Sequence, residues 1–388
     1  MKFLHTGDLH LGKMFYELSL LPDQENMLEQ IYNTLHTAKE SPYDALVIAG
    51  DVYDRAVPSP EAVSLFDDFL TRLRQNFPQL KIIIIPGNHD SARRLAFASH
   101  MLAFQGIYIY SVPEDLEKPV VFPDAVLYGL PFLTPGFFSP EETAQVDMVQ
   151  TALDTILHHY RQHHTDKELL LCAHLFAAGG EESESERSFV GTAQQVPVAL
   201  FKDFRSVALG HLHRCQQVAA NMWYSGSPLA YSFSEADAAK YVLDVTILPK
   251  ANPTVTKIPI QPVHPVVRRC GSFEDFFRDT CNAFADCRNA FLEIICTDTC
   301  LIENPMNQLK SRYPYLLSFR QDEALRREGL STINERRDLL QKSKSNLPSE
   351  EIFEAFIRDI YGTLPENFEA EKALFVQTMT DLQREMQE

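Results

Sequence analysis

Short apolar runs, each closing on a polar cluster, mark the first half of the chain. Residues 2–5 run into Gly7-Asp8, 45–49 into Gly50-Asp51, 81–85 into Pro86-Gly87-Asn88-His89-Asp90, 169–173 into His174, and 206–209 into Gly210-His211. Runs of this length without polar alternation predict strands buried on both faces. Between them, residues 26–39, 60–76 and 144–159 carry apolar side chains at spacings of three and four, the period of an amphipathic helix. Strand and helix in alternation predict a layered α/β fold. In open α/β sheets ligands bind at the carboxyl ends of the strands. Five polar clusters far apart in sequence are therefore expected to converge on one site.

Beyond about residue 260 the pattern changes. Pro259, Pro262 and Pro265 read as a linker, followed by a helical stretch at 272–285 and strand-like runs at 290–295 and 315–319. Residues 321–345 are highly charged, and a helical pattern resumes at Ser349, interrupted at Pro365. The expected organisation is a main domain over 1–260, a small α+β domain over 261–340 and a helical segment over 341–388. A length of 388 residues suits two or three such units.

Composition narrows the class. Hydrophobic residues at 45% and charged residues at 23% exclude disordered and collagen-like chains. With 35 Lys plus Arg against 53 Asp plus Glu, the net charge of −18 argues at first sight against a polyanionic partner. Seven cysteines, odd in number and without a CxxC pair, are expected to be reduced thiols. No run of 18 to 20 apolar residues and no signal-peptide pattern is present, so a cytoplasmic protein is expected.

The polar clusters share one kind of chemistry. Asp8, His10, Asp51, Asn88, His174, His211 and His213 supply carboxylate, amide oxygen and imidazole, a donor set suited to Mn, Fe or Zn, with no cysteine cluster for structural zinc. Seven donors are too many for one tetrahedral ion. Two ions about 3.5 to 4 Å apart that share a carboxylate would use them, as in sites that clamp the attacking and leaving oxygens of a phosphoryl displacement.

Taken in order, Gly7-Asp8-Leu9-His10, Gly50-Asp51-Val52-Tyr53-Asp54, Gly87-Asn88-His89-Asp90, His174 and Gly210-His211-Leu212-His213 resemble the five signatures of the calcineurin-like metallophosphoesterases. The resemblance implies a two-layered β-sandwich flanked by helices. It implies Asp51 as the bridge between two metals, Asp8, His10 and His213 completing the first site, and Asn88, His174 and His211 the second. It also gives His89 a catalytic role, stabilising the transition state or protonating the leaving oxygen, which suits an imidazole of pKa about 6.5. Asp90 and Asp54 are expected to orient neighbours. These signatures serve phosphatases, diesterases and nucleases alike.

Longer stretches narrow the resemblance. Residues 3–12, 49–54, 86–91, 208–214 and Tyr224-Ser225-Gly226-Ser227-Pro228 are similar to those of the SbcD-type nuclease family, and the order of a small capping domain and a C-terminal helical segment matches as well. That resemblance implies a Mn²⁺-dependent DNA nuclease with 3′-5′ exonuclease action on double-strand ends and endonuclease action on single strands and hairpins. It implies work in DNA repair, replication and recombination, as a homodimer within a heterotetramer with an SbcC-type coiled-coil ATPase. The competing reading is a small-molecule phosphodiesterase or phosphoprotein phosphatase on the same core. A metal-binding scaffold without activity would be expected to lack a ligand, and every position is filled.

The remaining features have plainer readings. His158, His159, His163 and His164 are expected to be solvated, His5, His36, His100 and His264 show no matching partner, and the acidic loop 181–186 reads as solvated. Leu18, Leu20 and Leu21 are candidates for self-association or for core packing. Residues 349–388 carry ten acidic and three basic side chains, with Phe375, Met379, Leu382 and Met386 on one helix face and Ile352, Phe353, Phe356, Ile357 and Ile360 in a second apolar set. These helices either fold back on their own core or, as the resemblance implies, dock on the ATPase's coiled coil. Residues 301–345 reverse the charge, with nine basic against six acidic residues, and Arg326-Arg327 and Arg336-Arg337 either face phosphates or are solvated.

Overall fold

The computed structural model describes all residues except 140–143, 183–194, 280–281, 299, 301, 322–352, 355–356, 359–363, 366–367 and 386–388. Internal contacts divide the chain into two units, Met1–Val266 and Val267–Glu388.

The first unit is built on two six-stranded sheets. One runs in the order Thr254–Ile260, Lys240–Thr246, Lys2–Thr6, Ala45–Ala49, Lys81–Ile85, Ile107–Ile109. The other runs Gln216–Ala219, Met222–Tyr224, Ser206–Gly210, Glu168–His174, Ala125–Leu130, Val120–Val121. The five strands expected from their apolar runs all form, within one residue of the expected ends. In the first sheet four parallel strands, Lys2–Thr6 to Ile107–Ile109, run out to one edge and the other side is antiparallel, whereas the second sheet has a parallel centre of four strands with an antiparallel strand at each edge. All the parallel strands of a sheet therefore present their carboxyl ends at the same edge.

The layers follow from strand alternation. Phe3, Ala45, Val47, Ala49, Ile83 and Ile85 of the first sheet share a core with Ala125, Leu127, Leu170, Cys172 and Ala208 of the second. Their chain neighbours Leu4, Leu46, Ile48, Ile82 and Ile84 turn to the opposite face and are equally buried. That face is the one left for the helices Leu21–Thr37 and Pro60–Asn76, whose buried stripes are Met27, Ile31 and Leu35, and Phe66, Phe69 and Leu73. Helix Gln145–His163 covers the outer face of the second sheet through Met148, Ala152 and Ile156. This two-layered, helix-flanked arrangement is the expected fold class.

Several local readings are corrected or decided. Pro259 is not in a linker but in strand Thr254–Ile260, opposite Tyr241, and that strand is a sheet edge, where a missing N–H is tolerated. Leu20 is buried, which decides between its two readings in favour of core packing. His264 does have a partner: its Nδ1 is 2.9 Å from Asp23 Oδ2 and its backbone N–H donates to Oδ1 at 2.8 Å.

His5 also has a partner. Fully buried, it places Nε2 3.1 Å from the Leu209 carbonyl, a bond the imidazole must donate and which ties one sheet to the other. Burial outweighs that bond and drives the His5 pKa down to about 3. The unfolded chain takes up this proton below about 6.5 and the folded chain only below about 3, so stability is complete at neutral pH and falls as pH drops through that window. At pH 5 the loss from this residue is about 2 kcal/mol. His5→Gln keeps a donor without titrating. Urea unfolding of the metal-free protein at pH 7 and pH 5 should show a decline smaller by about that amount in the variant, and equal declines would contradict the assignment.

In the second unit, strands Val266–Gly271, Phe291–Cys296 and Leu316–Gln321 form a three-stranded sheet over a core of Phe276, Leu292, Ile294, Leu309 and Tyr313. The helix expected over 272–285 ends at Arg278, because Asp279 takes a left-handed conformation with φ 39°. Helix Phe368–Glu385 forms in the tail, and Phe353 stacks on Phe375 with ring centroids 4.3 Å apart. Ile357 is buried and Leu374 exposed. Ile352, Phe356, Ile360 and Met386, the side chains of Met379 and Leu382, and both arginine pairs lie outside the described residues.

Candidate metal centre

The motif residues stand where the parallel strands end. Asp8, Asp51 and Asn88 follow strands of the first sheet, while in the second His174 closes one strand and His211 directly follows another. The backbone there is bent sharply: Asp8, His10, Asp51 and His211 have φ of 52°, 44°, 47° and 108°, a region side-chain-bearing residues rarely occupy. Such strain persists only where the surroundings fix it, and it concentrates at functional sites. Gly210 is where the sheets touch, since a Cβ there would lie 1.7 Å from the Ala49 carbonyl oxygen. The glycine of that signature is thus a packing requirement of the site.

All eight positions named from the sequence meet. His10 Nε2 is 3.1 Å from His213 Nε2 and 3.8 Å from Asp51 Oδ2. The same Asp51 oxygen is 3.5 Å from His174 Nε2. Asn88 Oδ1 lies 3.0 Å from His174 Nε2 and 2.9 Å from His211 Nδ1. Asp8 accepts the His211 backbone N–H on both oxygens, at 3.0 and 3.2 Å. Asp8, His10 and His213 form one group whose donor atoms lie within 4.8 Å of one another, and Asp8, Asp51 and His174 another. His174 Nδ1 can only donate to the Ala49 carbonyl oxygen 2.8 Å away, which leaves Nε2 as the electron-pair donor turned to the site.

The electrostatics suit divalent cations. Asp8, His10, Asp51, His174, His211 and His213 are each at most 4% exposed. Burial pushes the Asp51 carboxyl up from its usual range, against the pull of His89. Burial likewise drives His10 and His211 well below the usual imidazole range and His174 to about 3. Neutral imidazoles are the ligating form, and two divalent ions would supply the charge that buried carboxylates require. His10 Nδ1 and His211 Nε2 are buried with no hydrogen-bond partner among the described residues. An oxygen and nitrogen donor set of this kind fits divalent ions.

Around this cluster the second aspartates act on backbone and neighbours. Asp90 accepts the N–H groups of Gly87, Val52 and Tyr53 at 2.9 to 3.0 Å, pinning two signature loops together. Burial first, then Asp51, raises its pKa to about 7. Asp54 accepts Lys13 Nζ at 2.6 Å and lies 3.6 Å from His10 Nδ1. His89 is half-buried, gives its backbone N–H to Asp51 Oδ1 at 2.8 Å, and has Nδ1 3.0 Å from the Asp54 carbonyl.

Elsewhere, His159 pairs its Nδ1 with the Tyr128 hydroxyl at 2.9 Å, so it is not simply solvated. Glu181 pairs with Arg214, and residues 183–186 of that acidic loop lie outside the described residues. Four neighbours of the site carry no signal in the sequence. Tyr231 sets its ring 5.2 Å from that of His10 and donates its hydroxyl to Leu9 O, Phe132 stacks on His211 at 6.0 Å, and Glu235 and Lys240 lie behind His213. No signature contains them. Only Ser227, a partner of Lys240, stood in a stretch noted for its resemblance.

Comparison with known proteins agrees with this geometry. The calcineurin-like phosphoesterase family profile matches residues 1–215. The chain is 33% identical over 327 residues to the SbcD subunit of the nuclease SbcCD of Staphylococcus epidermidis, covering 82% of this chain and 84% of that one. It is 32% identical over 326 residues to the protein of the same name from Staphylococcus saprophyticus, with the same coverage. Signatures, strand-end geometry and relatives spanning most of the chain lead to one conclusion: this chain belongs to the calcineurin-like phosphoesterase family, and within it to the SbcD nucleases.

Proposed function

We propose that the chain is a DNA nuclease that hydrolyses phosphodiester bonds at a two-ion centre. Asp51 would be shared by the two ions, Asp8, His10 and His213 would hold the first, Asn88, His174 and His211 would hold the second, and His89 would be catalytic. The observation that carries this reading is the position of Asp51 Oδ2, 3.8 Å from His10 Nε2 and 3.5 Å from His174 Nε2, between the two donor sets. Bound there, divalent ions neutralise charge on the scissile phosphate and make water a competent nucleophile near neutral pH. The oxygen and imidazole donors suit Mn, Fe or Zn, and we assign manganese from the resemblance to the family.

The chain's own residues do the rest. Asp90 and the Asp51–His89 hydrogen bond fix the loop that carries Asn88 and His89. Because a carbonyl only accepts, His89 Nδ1 carries the proton it shares with Asp54 O, so the ring acts as the acid when it carries a second proton on Nε2, which passes to the departing sugar oxygen and leaves a neutral imidazole. Lys13, held by Asp54, and Arg55, whose side chain is 76% exposed, add positive charge beside the cluster. These local cations matter more to phosphate binding than the net charge of −18.

The relatives' name supports an SbcC-type ATPase as partner, and we assign residues 341–388 to its docking and 261–340 to a capping, DNA-contacting domain. For the homodimer, Phe97, Met101 and Phe104, 83%, 72% and 89% exposed, are better candidates than Leu20, because large apolar side chains exposed together in one short segment favour association. Double-strand ends and hairpins are the proposed substrates and the cytoplasm the proposed location. Among the described residues no helix is long and apolar enough to cross a membrane.

Comparing a DNA hairpin with bis(p-nitrophenyl) phosphate at equal manganese, with and without the ATPase, tests this reading. Preferred cleavage of the hairpin, enhanced by the partner, is expected. Turnover of the small diester with no DNA cleavage would favour the small-molecule phosphodiesterase.

A further inference from the structure

Glu235 and Lys240 form a buried ion pair behind His213. Glu235 ends the turn Phe233–Glu235 and Lys240 opens strand Lys240–Thr246, and they are 6% and 7% exposed. Taking two charges out of water is costly unless every remaining proton and lone pair is satisfied. Here Lys240 Nζ donates to Glu235 Oε2, to Ser227 Oγ at 2.9 Å and to the His213 carbonyl at 3.1 Å, which uses all three ammonium protons. Glu235 Oε1 lies 3.5 Å from His213 Nδ1 and also accepts from Ser232 Oγ at 3.1 Å and the Tyr231 N–H at 3.4 Å. Burial alone would raise the Glu235 pKa, but Lys240, and after it His213, outweigh burial and hold the carboxyl well below its usual range.

The backbone of His213 is gripped as well. Its carbonyl accepts a second bond, from the Ser227 N–H at 3.2 Å. That contact needs the preceding turn to press against residues 213–215. Gly226 makes this possible, with φ +74° and space so tight that a Cβ would stand 2.7 Å from His213 O and Cys215 N. The Tyr224–Pro228 stretch thereby gains a physical role as the floor under His213.

We propose that Glu235 and Lys240 are positioning residues that clamp His213 at its carbonyl and at Nδ1, committing Nε2 to the first ion. Occupancy of that ion then depends on the clamp, whereas occupancy of the second does not. The inference rests on the two-site ligand assignment above. A carboxylate only accepts, so His213 carries its proton on Nδ1 and offers the Nε2 lone pair, which faces His10 Nε2 at 3.1 Å. The second set has a separate anchor, His174 Nδ1 on the Ala49 carbonyl.

The test is a manganese titration of the metal-free full chain followed by electron paramagnetic resonance, with ring-nitrogen NMR of His213. Wild type should bind two ions with an exchange-coupled spectrum and show the Nδ1–H tautomer. Glu235→Ala should bind one ion at wild-type strength, give an uncoupled spectrum, bind the other about 10- to 100-fold more weakly and lose the single tautomer. Glu235→Gln keeps an acceptor oxygen and should restore the coupled pair and the tautomer. Two ions at wild-type affinity in Glu235→Ala, equal weakening of both, or an unchanged tautomer would each overturn the clamp. A wild-type chain that binds fewer than two ions would instead overturn the two-ion reading, while the tautomer comparison would still decide the clamp.

Discussion

Asp51→Asn is expected to remove the paired ions and to lower DNA cleavage by at least about 10³-fold, since the charge stabilisation of the transition state is lost with them. The substitution keeps size and shape. Its amide oxygen can still accept the His89 N–H that Asp51 Oδ1 accepts at 2.8 Å, so the signature loops stay joined. What it removes is the one negative charge between the two donor sets. Asp51 is 2% exposed and burial pushes its carboxyl up, so the metal-free variant should fold at least as stably as the wild type. Metal content by mass spectrometry and hairpin cleavage decide the matter together. A variant that keeps two ions and wild-type cleavage would remove Asp51 from the bridge.

The second large effect separates binding from chemistry. His89→Leu should retain both ions, because neither ring nitrogen of His89 is assigned to them, yet cleave DNA about 10²- to 10⁴-fold more slowly, the usual worth of a positioned general acid. The side chain is well placed for that role: half-buried, with its ring centroid 4.7 Å from that of His10 and Nδ1 held by the Asp54 carbonyl. Isothermal titration with manganese alongside single-turnover cleavage measures both quantities. Unchanged cleavage would make His89 a packing residue, and loss of an ion would make it a ligand.

What the sequence disclosed and what it hid follow from the range of the interactions. The seven ligand positions stand in the polar clusters that close the apolar runs, so pattern and donor chemistry marked them and predicted their meeting, whereas the role of His89 came from the resemblance to the family. The strand ends were legible because two-sided burial leaves unbroken apolar runs such as 81–85. Strand Ala125–Leu130 lacked that signal because Gly129 interrupts it, at a point where the Tyr110 ring leaves no room for a Cβ. Helix 272–285 was overextended because its period continues past Asp279, whose left-handed backbone no periodicity reports. The supporting residues were hidden for another reason. Glu235 reaches His213 across 22 residues, Tyr231 reaches Leu9 across 222 and His264 reaches Asp23 across 241. Such partners are chosen by the folded layers, not by neighbours in the chain.

The acidic balance looks different once placed. Asp8 and Asp51 belong to a centre that two divalent ions would more than neutralise, and ten of the acidic residues lie in the tail assigned to the partner. The central claim, that paired ions on these seven donors cleave DNA, is tested most directly by adding manganese stepwise to the metal-free chain with its ATPase partner and hairpin DNA. Cleavage should be absent in chelator and rise only as the second equivalent binds. Cleavage at full rate without metal, or with a single bound ion, would contradict it.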